Sequence, residues 1–88
     1  MDKTMTGVIG RLPVDRKRGV VVSTNGRDEF QLTADDCPAG LAVGSEVGFK
    51  ARESADFRDV PNARNVAATG FEWTIRRVSG SWRPFRDS

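Results

Sequence analysis

Thr6-Gly7-Val8-Ile9-Gly10-Arg11-Leu12-Pro13-Val14-Asp15-Arg16-Lys17-Arg18-Gly19-Val20-Val21-Val22-Ser23-Thr24 reads as two β-strands joined by a charged turn. Val8, Ile9 and Leu12 mark the first strand, and Val20, Val21 and Val22 the second. β-Branched runs bounded by Gly, Pro and Asp are the local signature of a hairpin. The connection, Pro13 to Gly19, brings three consecutive cations to the start of the second strand. Desolvating three like charges is prohibitive, so Arg16, Lys17 and Arg18 keep their heads in water. They are either a solvated face or a docking surface for something anionic.

Outward from this hairpin the pattern stays extended. Asn25-Gly26 is the strongest short-range hairpin signal, and a third strand follows at about Asp28–Thr33. There Phe30 and Leu32 share one face and Glu29 and Gln31 the other. Ala34 to Pro38 reads as a turn or a single helical turn, with Asp35 and Asp36 as capping acids. From Glu46 to Glu53, Val47, Phe49 and Ala51 alternate with charged residues, the mark of a half-buried strand. Ser54–Val60 is a polar loop carrying Phe57 beside Arg58, and Pro61–Thr69 is a fifth strand that Gly70 punctuates. Five short antiparallel strands with tight turns in about 65 residues indicate a small closed or nearly closed all-β barrel.

Beyond Gly70, Phe71, Trp73 and Ile75 alternate with Glu72 and Thr74, which predicts an added strand over Phe71–Val78. Trp82–Ser88 has no periodic face, contains Pro84, and is expected to be mobile. The chain thus divides into a barrel, 1–70, and a basic, aromatic extension, 71–88. Up to residue 70 ten cations meet ten carboxylates, so the net charge of +2 arises wholly in the extension, from Arg76, Arg77, Arg83 and Arg86 against Glu72 and Asp87. Basic residues interleaved with aromatics suit nucleic acid better than a membrane surface.

Eighty-eight residues make one domain. Cys37 is the single cysteine and there is no histidine. An intrachain disulfide, an ordinary zinc site and histidine acid–base catalysis are therefore outside the reach of one chain. Cys37, with no activating base, is expected to serve as a buried small hydrophobe. No nucleophile–base pair can be assembled, so neither enzymatic activity nor a metal or cofactor is expected. No apolar run approaches the roughly 20 residues that span a bilayer, and Met1 to Met5 lacks a signal-peptide stretch. A soluble, cytoplasmic protein is the expectation.

The order of these pieces resembles the bacterial cold-shock domain, a five-stranded antiparallel OB-fold barrel. That family opens with Thr-Gly-x-Val-Lys-Trp-Phe-Asn, continues into Lys-Gly-Phe-Gly-Phe-Ile, and later shows Asp-Val-Phe-Val-His. It closes with Leu-x-x-Gly-x-x-Val-x-Phe and Gly-Pro-x-Ala-x-Asn-Val. Thr6-Gly7-Val8-Ile9 is similar to the opening. Leu41-Ala42-Val43-Gly44-Ser45-Glu46-Val47-Gly48-Phe49 fits the fourth-strand pattern at every marked position. Pro61-Asn62-Ala63-Arg64-Asn65-Val66 fits the closing pattern, with Val60 in place of the Gly. The resemblance covers roughly residues 5–69.

It implies an OB-fold that binds single-stranded RNA or DNA by stacking bases on exposed aromatics while basic residues follow the backbone. The aromatic half is depleted here. Arg11 stands where the first-strand Trp belongs, Leu12 replaces the Phe after it, and Arg18 and Val20 take the places of two stacking rings. In the third strand Phe30 is kept, as well suited to core packing as to base contact, but Leu32 stands where the His would be. The implied ligand face comprises Arg11, Arg16, Lys17, Arg18, Val20, Phe30, Leu32, Lys50 and Arg52. Arg11 and Arg18 as guanidinium planes, Trp73 and Trp82 in the extension, and Phe57 beside Arg58 are the available replacements for lost rings. Two functions follow: a single-strand-binding module of little sequence preference, or an OB-fold protein-interaction or dimerisation module that has lost its ligand. A strand-forming extension also offers a route to a homodimer.

Overall fold

The computed structural model describes residues 2–24, 28–52 and 60–86. Six strands follow one another as β1 (Asp2–Arg11), β2 (Gly19–Ser23), β3 (Glu29–Leu32), β4 (Ser45–Arg52), β5 (Arg64–Val78) and β6 (Ser81–Arg86). They form one sheet in the order β3-β2-β1-β4-β5-β6, every neighbour antiparallel. Among the described residues the helical content is a single 3-10 turn, Ala34–Asp36. Thr33 Oγ1 donates to Asp36 Oδ2 across it at 3.0 Å. No described helix is long and apolar enough to cross a membrane.

The sheet curls because its long strands carry extra residues. The β1–β2 register slips between Ile9 and Arg11, at Gly10. In β4–β5 it slips twice, opposite Asn65 and opposite Gly70, both in positive φ (53° and 95°). Each such bulge bends its strand and increases the local twist. Sequence reading ends the fifth strand at Gly70. Instead β5 passes through that residue, whose missing Cβ lets it take the left-handed conformation of a bulge rather than a turn. The far edge of the curl is met by the chain leading into β5. Gln31 N–H donates to the Pro61 carbonyl (2.9 Å) and Ala63 N–H to the Gln31 carbonyl (2.8 Å), a parallel bridge centred on Gln31 and Asn62.

Inside the curl lie Ile9, Val21, Phe30, Leu32, Val47, Phe49, Ala51, Ala63 and Val66, with Met5, Leu12, Cys37 and Leu41 packed at the margin. Phe30 meets Phe49 edge-to-face, ring centroids 5.0 Å apart. Burying each such aliphatic or aromatic side chain contributes roughly 1.5–3 kcal/mol. Alternation places Val8, Val21, Val47, Phe49 and Val66 in the barrel core; the last four line it, while Val8, equally buried, lies outside that cluster.

Two expectations are corrected here. Phe30 and Leu32 do not belong to an exposed ligand face: they are 4% and 0% exposed. Only one face of β3 looks into the barrel, and its period of two gives that face to the two apolar residues. The second correction concerns Trp82–Arg86, expected to be mobile. With Ser81 it forms β6, paired along its length with Trp73–Val78. Ser79 and Gly80 link the two strands with φ of 51° and 82°. Positive φ at both central residues is the type I′ turn, whose twist matches that of a hairpin.

Candidate nucleic-acid interface

The outward face of β1, β2 and β3 is built in rows. Register places Arg11, Val20 and Gln31 side by side in one, and Val8, Val22 and Glu29 in the next. In the first row Arg11 is exposed and Val20 half-buried. Arg11 Nη2 donates to the Arg18 carbonyl at 3.1 Å. Arg18 Nη1 donates to Gln31 Oε1. Both guanidiniums are thereby tethered to the sheet, and both arginines remain exposed. Beyond them, Val14 and Lys17 exchange backbone hydrogen bonds (3.2 and 2.9 Å) around Asp15 and Arg16. This tight projection lifts Arg16 and Lys17 clear of the barrel, both exposed. Four cations expected at the ligand face, Arg11, Arg16, Lys17 and Arg18, therefore share one end of the β1–β2 hairpin.

The second row is different. Val8 and Val22 are 0% and 1% exposed, yet they stand on the sheet face opposite the barrel core. They are covered by the β5–β6 hairpin. A Cβ placed on Gly10 would lie 3.3 Å from Ile75 Cδ1 and 3.2 Å from Val22 Cγ2, so β5 crosses β1 here with only a hydrogen between. β6 lies against β2. Gly44 anchors the crossing: its N–H donates to the Ile9 carbonyl (2.9 Å) and its carbonyl accepts from Trp73 N–H (2.6 Å). The Trp73 indole N–H donates to Glu46 Oε1 at 3.1 Å. Thr69 Oγ1 donates to the same carboxylate.

Cross-strand pairing sorts the hairpin into two faces. Phe71, Trp73, Ile75 and Arg77 share the inner one with Trp82, Pro84 and Arg86. Glu72, Thr74, Arg76 and Val78 share the outer one with Arg83 and Phe85. Trp73 and Trp82 are half-buried, with the Arg77 guanidinium 5.4 Å from the Trp82 ring centre. Arg76 stands over Phe85 at 5.3 Å and Arg86 over Phe71 at 5.2 Å.

Lys50 and Arg52 are not part of this grouping. They lie opposite Thr4 and Asp2, at the other end of β1. Seven residues of strand, roughly 23 Å, separate Thr4 from Arg11. Phe57 and Arg58 lie outside the described residues. The residues that sequence reading left out are Gln31, which holds Arg18, and the outer-face trio Arg76, Arg83 and Phe85. Their clue was the two-residue turn at Ser79-Gly80, which turns a basic tail into a paired strand. Comparison with protein-family models, with curated proteins and with solved structures finds no match.

Proposed function

We propose that this chain is an OB-fold protein of the cold-shock type that binds single-stranded RNA or DNA with little sequence preference, chiefly through phosphate contacts. The fold reading is supported by the order β3-β2-β1-β4-β5 and by the parallel bridge that joins β3 to the start of β5. OB-folds bind oligonucleotides on the face of their second and third strands and the loops beside it. On this chain that face carries the row Arg11–Val20–Gln31.

The observation that carries the function is the pair Arg11 and Arg18. Their planes stand at positions of lost rings and are tethered by hydrogen bonds before any ligand arrives. A guanidinium held in this way forks onto a phosphate or stacks on a base with little further loss of side-chain freedom. Arg16 and Lys17 extend the same positive strip. With the Phe30 ring of β3 inside the core, affinity rests on charge. Four phosphate contacts on a single strand give a log–log salt slope of about −2.8. Fluorescence anisotropy with labelled oligo-dT and oligo-U across a salt series measures it. An affinity indifferent to salt, or no binding at low salt, contradicts the proposal.

The second reading, an OB-fold protein-interaction or dimerisation module, draws on the β5–β6 hairpin. It covers part of the face that a stacked strand would need, while Phe71 and Phe85 stay 55% and 41% exposed. Sedimentation of the free protein over a concentration series separates it from the first.

A further inference from the structure

The outer face of the β5–β6 hairpin places Arg76 directly opposite Arg83. Side chains paired in this way have Cβ atoms about 4.5–5.5 Å apart, and like charges there repel. Both arginines are exposed. On that face the single carboxylate among the described residues is Glu72, four strand residues from Arg76, roughly 13 Å and beyond a Debye length at physiological salt. Beside the pair, Phe85 is 41% exposed, with Arg76 at 5.3 Å from its ring centre. The Arg76–Phe85 cation–π contact accounts for one cation beside the ring, but not for a second set against it. A bound anion does: it neutralises both, and the ring stacks on whatever flat group the anion carries.

We infer that Arg76, Arg83 and Phe85 form a second nucleotide-contact site, with a backbone phosphate between the two guanidiniums and a base on Phe85. The site deepens the proposed single-strand binding and rests on that reading for its ligand class. It stands on a different element from Arg11, Arg16, Lys17 and Arg18. The two groups can therefore be removed separately.

The test uses the full chain and labelled oligo-dT and oligo-U, with three variants: Arg76→Gln with Arg83→Gln, Phe85→Leu, and Arg16→Gln with Arg18→Gln. Removing both hairpin arginines is expected to weaken binding about tenfold or more and to flatten the salt slope by about 1.4, two single-strand contacts. Its thermal midpoint is expected to hold or rise, since a repulsion is relieved. Phe85→Leu is expected to weaken binding on the order of 5- to 100-fold, the range of one lost stacking platform, with the salt slope unchanged. If the hairpin variants bind like the unaltered protein while the Arg16/Arg18 variant loses binding, the inference is overturned and the proposed function stands. Loss of self-association rather than of oligonucleotide binding overturns it in favour of a contact with a second copy. An unaltered protein that binds neither oligonucleotide at low salt overturns both.

Discussion

The Trp73 amide donates to the Gly44 carbonyl at 2.6 Å, while the Gly44 amide donates to the Ile9 carbonyl. One glycine thus ties the C-terminal hairpin to the first strand of the barrel. Its φ is +95°, and a Cβ there would lie 2.2 Å from the Trp73 carbonyl oxygen. Both the conformation and the space exclude a side chain.

Gly44→Ala is therefore expected to loosen the hairpin from the barrel. The positive φ alone costs on the order of 1–3 kcal/mol for a residue with a Cβ, and the clash with Trp73 adds to it. The thermal midpoint should fall by more than about 5 °C. Trp73, which leaves the Glu46 carboxylate, should shift to red-emitting fluorescence. An unchanged midpoint and spectrum would show that the contact does not hold the hairpin.

Deleting residues 82–88 removes β6. Its half-buried Trp82 and Pro84 face the barrel side of the hairpin, and its backbone satisfies one edge of β5. The truncation is expected to lower the midpoint by roughly 5–10 °C. Calorimetry that returns the midpoint of the full chain would mean that β6 contributes nothing to stability.

Much of the barrel was legible because alternation is a strong constraint. Val47, Phe49 and Ala51 alternate with Gly48, Lys50 and Arg52, and a strand with that pattern has one way to face the core. Phe30 and Leu32 follow the same rule and were legible as sharing a face. Which face they take was not legible: the resemblance offered Phe30 a base contact, the alternation a place in the core, and burial decides for the core. Gly70 was not legible. A glycine in positive φ serves a turn or a bulge equally well, and only the pairing of Ser45 with Glu72 and Val47 with Ala68 decides between them. Pro84 hid β6 for a related reason: proline is excluded from central strands but not from edges. Of the candidate site, the cations of the first hairpin were legible from charge alone. That Lys50 and Arg52 stand far from them depends on register, which no local pattern fixes.

Pro84 also has a protective role on this edge. Val78 and Ser81 close the two-residue turn as a hydrogen-bonded pair, so the pairs alternate and Ile75–Pro84 is non-hydrogen-bonded. The nitrogen of Pro84 consequently faces away from β5, on the free edge of the sheet. A proline there removes a donor that an incoming strand would use. Pro84→Thr restores it and is expected to produce concentration-dependent self-association in sedimentation velocity. A variant that stays as monodisperse as the parent would show that the edge is blocked by something else.

Docking of a single strand on the outer face of the first hairpin is read out residue by residue in an NMR titration. Backbone and arginine side-chain resonances of the full chain are followed as unlabelled oligo-U is added at low salt. Movement is predicted at Arg11, Arg16, Lys17, Arg18, Val20 and Gln31, reversed by added salt, with Lys50 and Arg52 at the far end of β1 left unmoved. Shifts confined to the far end of β1, or a spectrum that does not change at all, would contradict it.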